Sequence, residues 1–212
     1  YTATQHVVTN STGKLTMTNI GVTPTVFPIG ANTTTINPIA IFNGNNVDYS
    51  ARVEIGLNPT IAYPIIAVNR TWTVRAATTP GVTVNVNFFY SAGHGNANFD
   101  YVATVDHGIY AGTAWGINQT GLVQAGSYQV ATLVSSFGAG IDLPMVIGNM
   151  GAILADRSSI NLVAQKQNGK ANLNWTINSS TTIGKLMVER SADGRNFTTL
   201  GNADVAATSF VD

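Results

Sequence analysis

Apolar and polar residues alternate along much of this chain. Ala51, Val53, Ile55 and Leu57 are interleaved with Arg52, Glu54, Gly56 and Asn58. Val82, Val84, Val86, Phe88 and Tyr90 alternate with Thr83, Asn85, Asn87 and Phe89. Val68, Trp72, Val74 and Ala76 share one face, with Asn69, Thr71, Thr73 and Arg75 on the other. Ala171, Leu173, Trp175 and Ile177 likewise oppose Lys170, Asn172, Asn174 and Thr176. A period of two with one apolar face predicts half-buried antiparallel strands. Turn residues punctuate them at Asn43-Gly44, Asn168-Gly169 and Asp193-Gly194 and around Pro24, Pro28 and Pro38. No stretch of about 11 or more residues carries a helical stripe. The expected class is all-β, built from antiparallel β-sandwiches.

The pattern predicts two domains. The first runs over residues 1–155, with the apolar, glycine-rich Gly138–Ala155 supplying its closing strands. Asp156-Arg157-Ser158-Ser159 forms a polar break before a second unit, 156–212. That unit reads as a hairpin, then strands at Leu186–Arg190, near Phe197–Leu200 and at Thr208–Val211. An immunoglobulin- or fibronectin-III-like sandwich needs about seven strands and about 100 residues. The second domain is therefore expected to be incomplete, lacking its last strands and leaving an apolar face and a sheet edge open.

Only 9% of residues are charged, against 44% hydrophobic, and Thr, Asn, Ser and Gly fill the difference. Such a surface is typical of extracellular β-proteins. Ten basic and ten acidic side chains cancel, so no electrostatic footprint for nucleic acid is present. With no cysteine, disulfides, zinc–thiolate sites and thiol nucleophiles are excluded. No apolar run of about 18 residues could span a membrane as a helix. The first residue is Tyr1 rather than Met, so upstream processing or truncation is expected.

Two sets of segments carry a family resemblance. Val188-Glu189-Arg190-Ser191-Ala192-Asp193-Gly194-Arg195-Asn196-Phe197, then Leu200-Gly201 and Phe210-Val211-Asp212, with Asn174-Trp175-Thr176 before them, form one set. It resembles a fibronectin-III-like module near the C-terminus of many secreted surface proteins of Bacteroidetes, where it precedes the sorting domain of the type IX secretion route. Phe27-Pro28-Ile29-Gly30, Asn37-Pro38-Ile39 and Val68-Asn69-Arg70-Thr71-Trp72-Thr73-Val74 resemble the β-domain that often lies upstream of it. The resemblance implies export to the cell surface or beyond. It implies a scaffold and no particular activity.

Catalytic signals are weak. His94, Asp100, Asp106 and His107 form the one cluster suited to metal binding or acid–base work, and their spacing matches no HExxH, EF-hand or zinc pattern. No G-x-S-x-G elbow supports a Ser-His-Asp triad, and no glycine-rich phosphate cradle is present. The only glutamates, Glu54 and Glu189, face outward on strands, which does not suit a glycosidase pair. No enzyme activity, metal or cofactor is expected. Trp72 and Trp175 lie on apolar faces and are expected in cores. Trp115, near Tyr110 and Tyr128, is either buried between sheets or available to stack on a sugar. Trp115, Tyr110 and His94 are the candidate ligand contacts.

Two functions from different classes fit. In the first, the chain is a subunit of an extracellular filament, and the open sandwich accepts a strand from a neighbouring copy. Tyr1, Ala3, Val7 and Val8 are the candidate donor residues, unless Val7 and Val8 pair within their own domain. In the second, the chain is an adhesin or carbohydrate-binding stalk of a larger secreted protein, with loops Gly93–Asn98 and Gly112–Ile117 forming the site.

Overall fold

A computed structural model describes residues 5–9, 11–126, 128–154, 159–167, 169–178, 186–204 and 208–211. The protein is all-β, and among these residues the only helical element is the 3-10 turn Pro64–Ile66. The chain divides into two compact units, Tyr1–Ala155 and Asp156–Asp212.

Strands are numbered in chain order. In the first unit a six-stranded antiparallel sheet has the order β10 (Trp115–Leu122), β9 (Val105–Tyr110), β12 (Asp142–Asn149), β7 (Arg70–Ala76), β6 (Val47–Ile55), β2 (Leu15–Ile20). A four-stranded antiparallel sheet has the order β11 (Gln129–Val134), β8 (Val84–Phe89), β5 (Ile39–Phe42), β3 (Thr25–Phe27). The short β1 (Val7–Val8) pairs in parallel with β4 (Ile29–Gly30).

The alternation on these strands builds one core. Tyr49, Ala51 and Val53 of β6, Trp72 and Val74 of β7, and Met145 and Ile147 of β12 meet Ile39, Ile41, Val86, Phe88 and Val130 of the other sheet. Trp72 and Phe88 pack edge to face with centroids 5.2 Å apart. Ile55 and Val82 follow the same period but lie at or beyond strand ends, and they are 49% and 44% exposed.

Two expectations are corrected here. Gly138–Ala155 does not close the sheet, because its strand β12 lies centrally, between β9 and β7. Such a strand is covered on both faces. Leu143, Met145 and Ile147 enter the main core, while Val146 joins a second apolar cluster with Ile61, Ala67, Ala152 and Ile153. Gly148 is required there, since a Cβ would lie 2.5 Å from that of Ala152 and 3.3 Å from that of Ala67. The face of β7 that carries Thr71 and Thr73 is likewise buried rather than solvated. Thr71 uses its hydroxyl to donate to Gly56 O and to accept from Asn58 N.

In the second unit β13 (Ser159–Gln167), β14 (Lys170–Asn178) and β17 (Ser209–Val211) form one antiparallel sheet. β15 (Leu186–Arg190) and β16 (Thr198–Ala203) form another. The β15–β16 turn is organised by Asp193, whose Oδ1 accepts from the backbone N–H groups of Arg195 and Asn196, both at 2.8 Å. Ser191 and the Asn196 side chain add further donors. These hydrogen bonds hold the carboxyl far below the usual carboxylate range.

Candidate functional site

An open apolar groove lies within the second unit. Leu162 of β13, Leu173 and Trp175 of β14, Leu186, Met187, Val188 and Glu189 of β15, and Phe197 line a groove of about 300 Å³. β16 contributes no lining residue. Among the described residues β15 has β16 as its one strand neighbour. The groove lies on the β15 side. Apolar side chains at its mouth face water: Leu162 is 56% exposed, Met187 58% and Phe197 60%. Trp175 forms the floor, at 8%. An unpaired edge beside an apolar trough is the geometry that accepts an added strand.

The candidate donor residues fall at the start of the first unit. Tyr1 and Ala3 lie outside the described residues. Val7 and Val8 pair within their own unit, opposite Ile29 and Gly30. Their side chains stay 42% and 46% exposed. The segment is anchored just beyond them, where Thr9 is buried and its hydroxyl accepts from Val53 N at 3.0 Å.

The candidate ligand contacts separate into two places. Tyr110 and Trp115 are directly opposed on β9 and β10 and pack edge to face at 5.4 Å. Trp115 is not between the sheets. It joins the second apolar cluster, half-buried against the loop that carries Leu57 and Ile61, and its indole N–H donates to Pro59 O at 3.0 Å. Its partner strand places Tyr110 on the same outer face as Gly108, whose position abuts Ile153 of that cluster.

His94 belongs to a separate polar network. Its Nδ1 lies 2.8 Å from Asn37 Nδ2 and 3.2 Å from Ser91 N. Asn37 Oδ1 accepts from Arg70 Nε at 2.8 Å, and Asn37 O accepts from the Trp72 indole at 3.0 Å. Arg70 is buried, and among the described residues no carboxylate lies within ion-pair distance of it. Burial lowers the Arg70 pKa from its ordinary value. Burial, with the Arg70 charge nearby, pushes His94 down to about 4. The cluster therefore pins the loop after β8 to the core and holds His94 neutral at pH 7.

Among the described residues no three His, Asp or Glu side chains gather as metal ligands. Asp100 instead accepts from Val102 N at 2.9 Å. His107 is fully buried beside Phe88, whereas Asp106 alternates to the opposite face of β9. Trp72 is fully buried in the main core, and Glu54 forms an ion pair with Arg52 at 3.0 Å. The groove residues Leu162, Leu186, Met187 and Phe197 were not singled out as a site from sequence. Their signal is the adjacent apolar pairs Leu162-Val163 and Met187-Val188, which break the one-faced alternation. Comparison with family models, curated proteins and solved structures found no match.

Proposed function

We propose that the chain is a structural protein of an extracellular filament, assembling by β-strand complementation between neighbouring copies. The observation that carries this reading is the apolar groove along β15, which among the described residues pairs with β16 alone. The strand order supports it. β13, β14 and β17 share one sheet and β15 lies in the other, as the first, second, fifth and third strands of an immunoglobulin-like sandwich do. On this reading both units are immunoglobulin- or fibronectin-III-like sandwiches, and the groove is the place of a strand that a neighbour supplies.

The donor on this reading is segment 1–8 of the next copy. Among its described residues Val7 and Val8 pair with Ile29 and Gly30 in their own unit, and the two valines remain 42% and 46% exposed. Insertion beside β15 would give those valines an apolar trough and the backbone a full ladder. A contact between two different surfaces is heterologous and propagates rather than closes. The low charge of 9% opposes such association little, and the resemblance to secreted surface modules agrees with an extracellular setting.

A glycan-binding stalk is the second reading, resting on the Tyr110–Trp115 aromatic pair. The indole N–H is already bonded to Pro59, so less of that pair is free for a sugar. Met187→Glu introduces a charge at a position 58% exposed, which leaves the subunit folded. It should abolish filaments, as should deletion of residues 1–8. Filaments of normal length from either variant, with unchanged circular dichroism, would refute complementation.

A further inference from the structure

The polar network around Arg70 holds more donors than acceptors. Arg70 is 5% exposed, and among the described residues no carboxylate pairs with it. A cation taken out of water without a counter-charge is costly. Its Nε donates to Asn37 Oδ1 at 2.8 Å and its Nη1 to Asn69 O at 2.7 Å. Nη2 has no partner among the described residues, yet it is not sealed from solvent. The guanidinium therefore presents a free edge at a narrow opening.

His94 adds a second donor. Ser91 N, which can only donate, lies 3.2 Å from its Nδ1. Asn37 Nδ2 lies 2.8 Å from the same atom, and the Asn37 amide is oriented by Arg70, which requires the oxygen on its own side. Whichever of these N–H groups takes the lone pair, Nδ1 carries no proton, so the proton sits on Nε2. Nε2 too has no partner among the described residues and is open to solvent.

Tyr101 supplies a third donor. Its hydroxyl oxygen accepts from Gly93 N at 2.9 Å and from Gly95 N at 2.6 Å. Both lone pairs are then used, and the O–H proton remains to be donated, with no acceptor among the described residues. Those glycines flank His94, so the tyrosine and the histidine meet at one turn. That turn is fixed against the start of β7 by the bridge between Val68 and Gly95 and by Asn69 N donating to His94 O at 2.7 Å. Arg70 is close enough to both Tyr101 and His94 for their charges to interact.

We propose that Arg70, His94 and Tyr101 form a binding site for a single carboxylate group. The Arg70 edge, the His94 Nε2–H and the Tyr101 O–H are the donors, and the two carboxylate oxygens are the acceptors the network lacks. Because His94 is held neutral at pH 7, Arg70 is the one charge in the cluster. One positive charge is balanced by a monoanion, which favours a carboxylate over a phosphate dianion. A free small acid and a sugar acid carry this same group. The proposal goes beyond the filament reading and stands without it, since all three residues belong to the first unit.

NMR of the histidine rings in the full chain, at a pH of 6.5 where acetate is ionised, tests the proposal. Acetate and glucuronate should each move the His94 signals saturably, with half-saturation at about 1–10 mM for so small a ligand. His6 and His107 are internal controls and should stay in place. Glucose and sodium chloride should leave His94 unmoved. Equal binding of the two acids identifies a free small acid as the ligand, and tighter binding of glucuronate identifies a sugar acid; either result supports the site. Tyr101→Phe, which removes one hydrogen bond to the anion, should weaken binding about tenfold or more. Arg70→Lys keeps the charge but loses the planar edge and should weaken it as well. If a variant fails to fold, the titration of the unmodified chain decides alone. No saturable movement of His94 with either acid, or an equal response to chloride or to glucose, would overturn the proposal.

Discussion

Acid should destabilise the first unit through His107, by an amount that follows from its burial. The imidazole is enclosed by Phe88 on one side and by Thr132 and Asn118 on another, with no carboxylate among its hydrogen-bond partners. Its pKa falls from 6.5 to about 3 because the charged form would be desolvated. The unfolded chain takes up a proton below 6.5 and the folded chain does not. His107 therefore leaves stability intact above pH 6.5 and erodes it as pH falls from there toward 3. Each pH unit inside that window costs about 1.4 kcal/mol, and the loss from pH 7 to about pH 4.5 is about 2.5 kcal/mol. That is a large share of the roughly 5–15 kcal/mol that holds a typical domain. Urea unfolding across this pH range, in a Trp175→Phe background so that Trp72 and Trp115 report on the first unit, measures it. His107→Gln should flatten the pH dependence by about one proton's slope. His94, half-exposed and shifted the same way, remains in both proteins and cancels in the difference. Parallel pH profiles for the two proteins would refute the assignment of His107 as a neutral buried imidazole.

Two further substitutions probe the packing. Gly148→Ala places a methyl against Ala152 and Ala67 on the covered outer face of β12 and should cost about 1–3 kcal/mol, read as a lowered Tm; an unchanged Tm would mean that this face is open. Asn37→Leu removes the acceptor of Arg70 Nε and the amide facing His94, and should cost about 2–3 kcal/mol because a buried cation loses its partner. Amide hydrogen exchange in the 91–96 loop should accelerate in that variant, and unchanged protection there would show that the network does not hold the loop.

Much of the strand content was legible in the chain because alternation is a local property. β6, β7, β8 and β14 lie where Ala51–Val53, Trp72–Ala76, Val84–Phe88 and Ala171–Trp175 alternate. Sheet order is not local, and there the reading failed. An apolar run such as Leu143–Ile147 fits either a closing strand or a central one, and only the pairing with both β7 and β9 decides it. Trp115 misled for a related reason, since apolar residues on β10 can face either the main core or the cluster around Ile61 and Ile153. The buried surroundings of His107 were invisible because Phe88, Asn118 and Thr132 come from three other strands. Sequence places His107 only beside Asp106, Asp100 and His94, a grouping suited to metal binding or acid–base work, and not beside its partners in space. The groove was half legible. An open face on the second unit was expected, but its wall on β15 and the role of Phe197 at the mouth depend on how the two sheets of that unit face each other.

Negative-stain electron microscopy of the full chain, imaged without concentration or denaturant, tests the central claim most directly. Unbranched filaments with a regular axial repeat, lost on Met187→Glu, are the expected result. A field of single monodisperse particles across a wide range of protein concentrations would contradict strand complementation and leave the groove of the second unit to another partner.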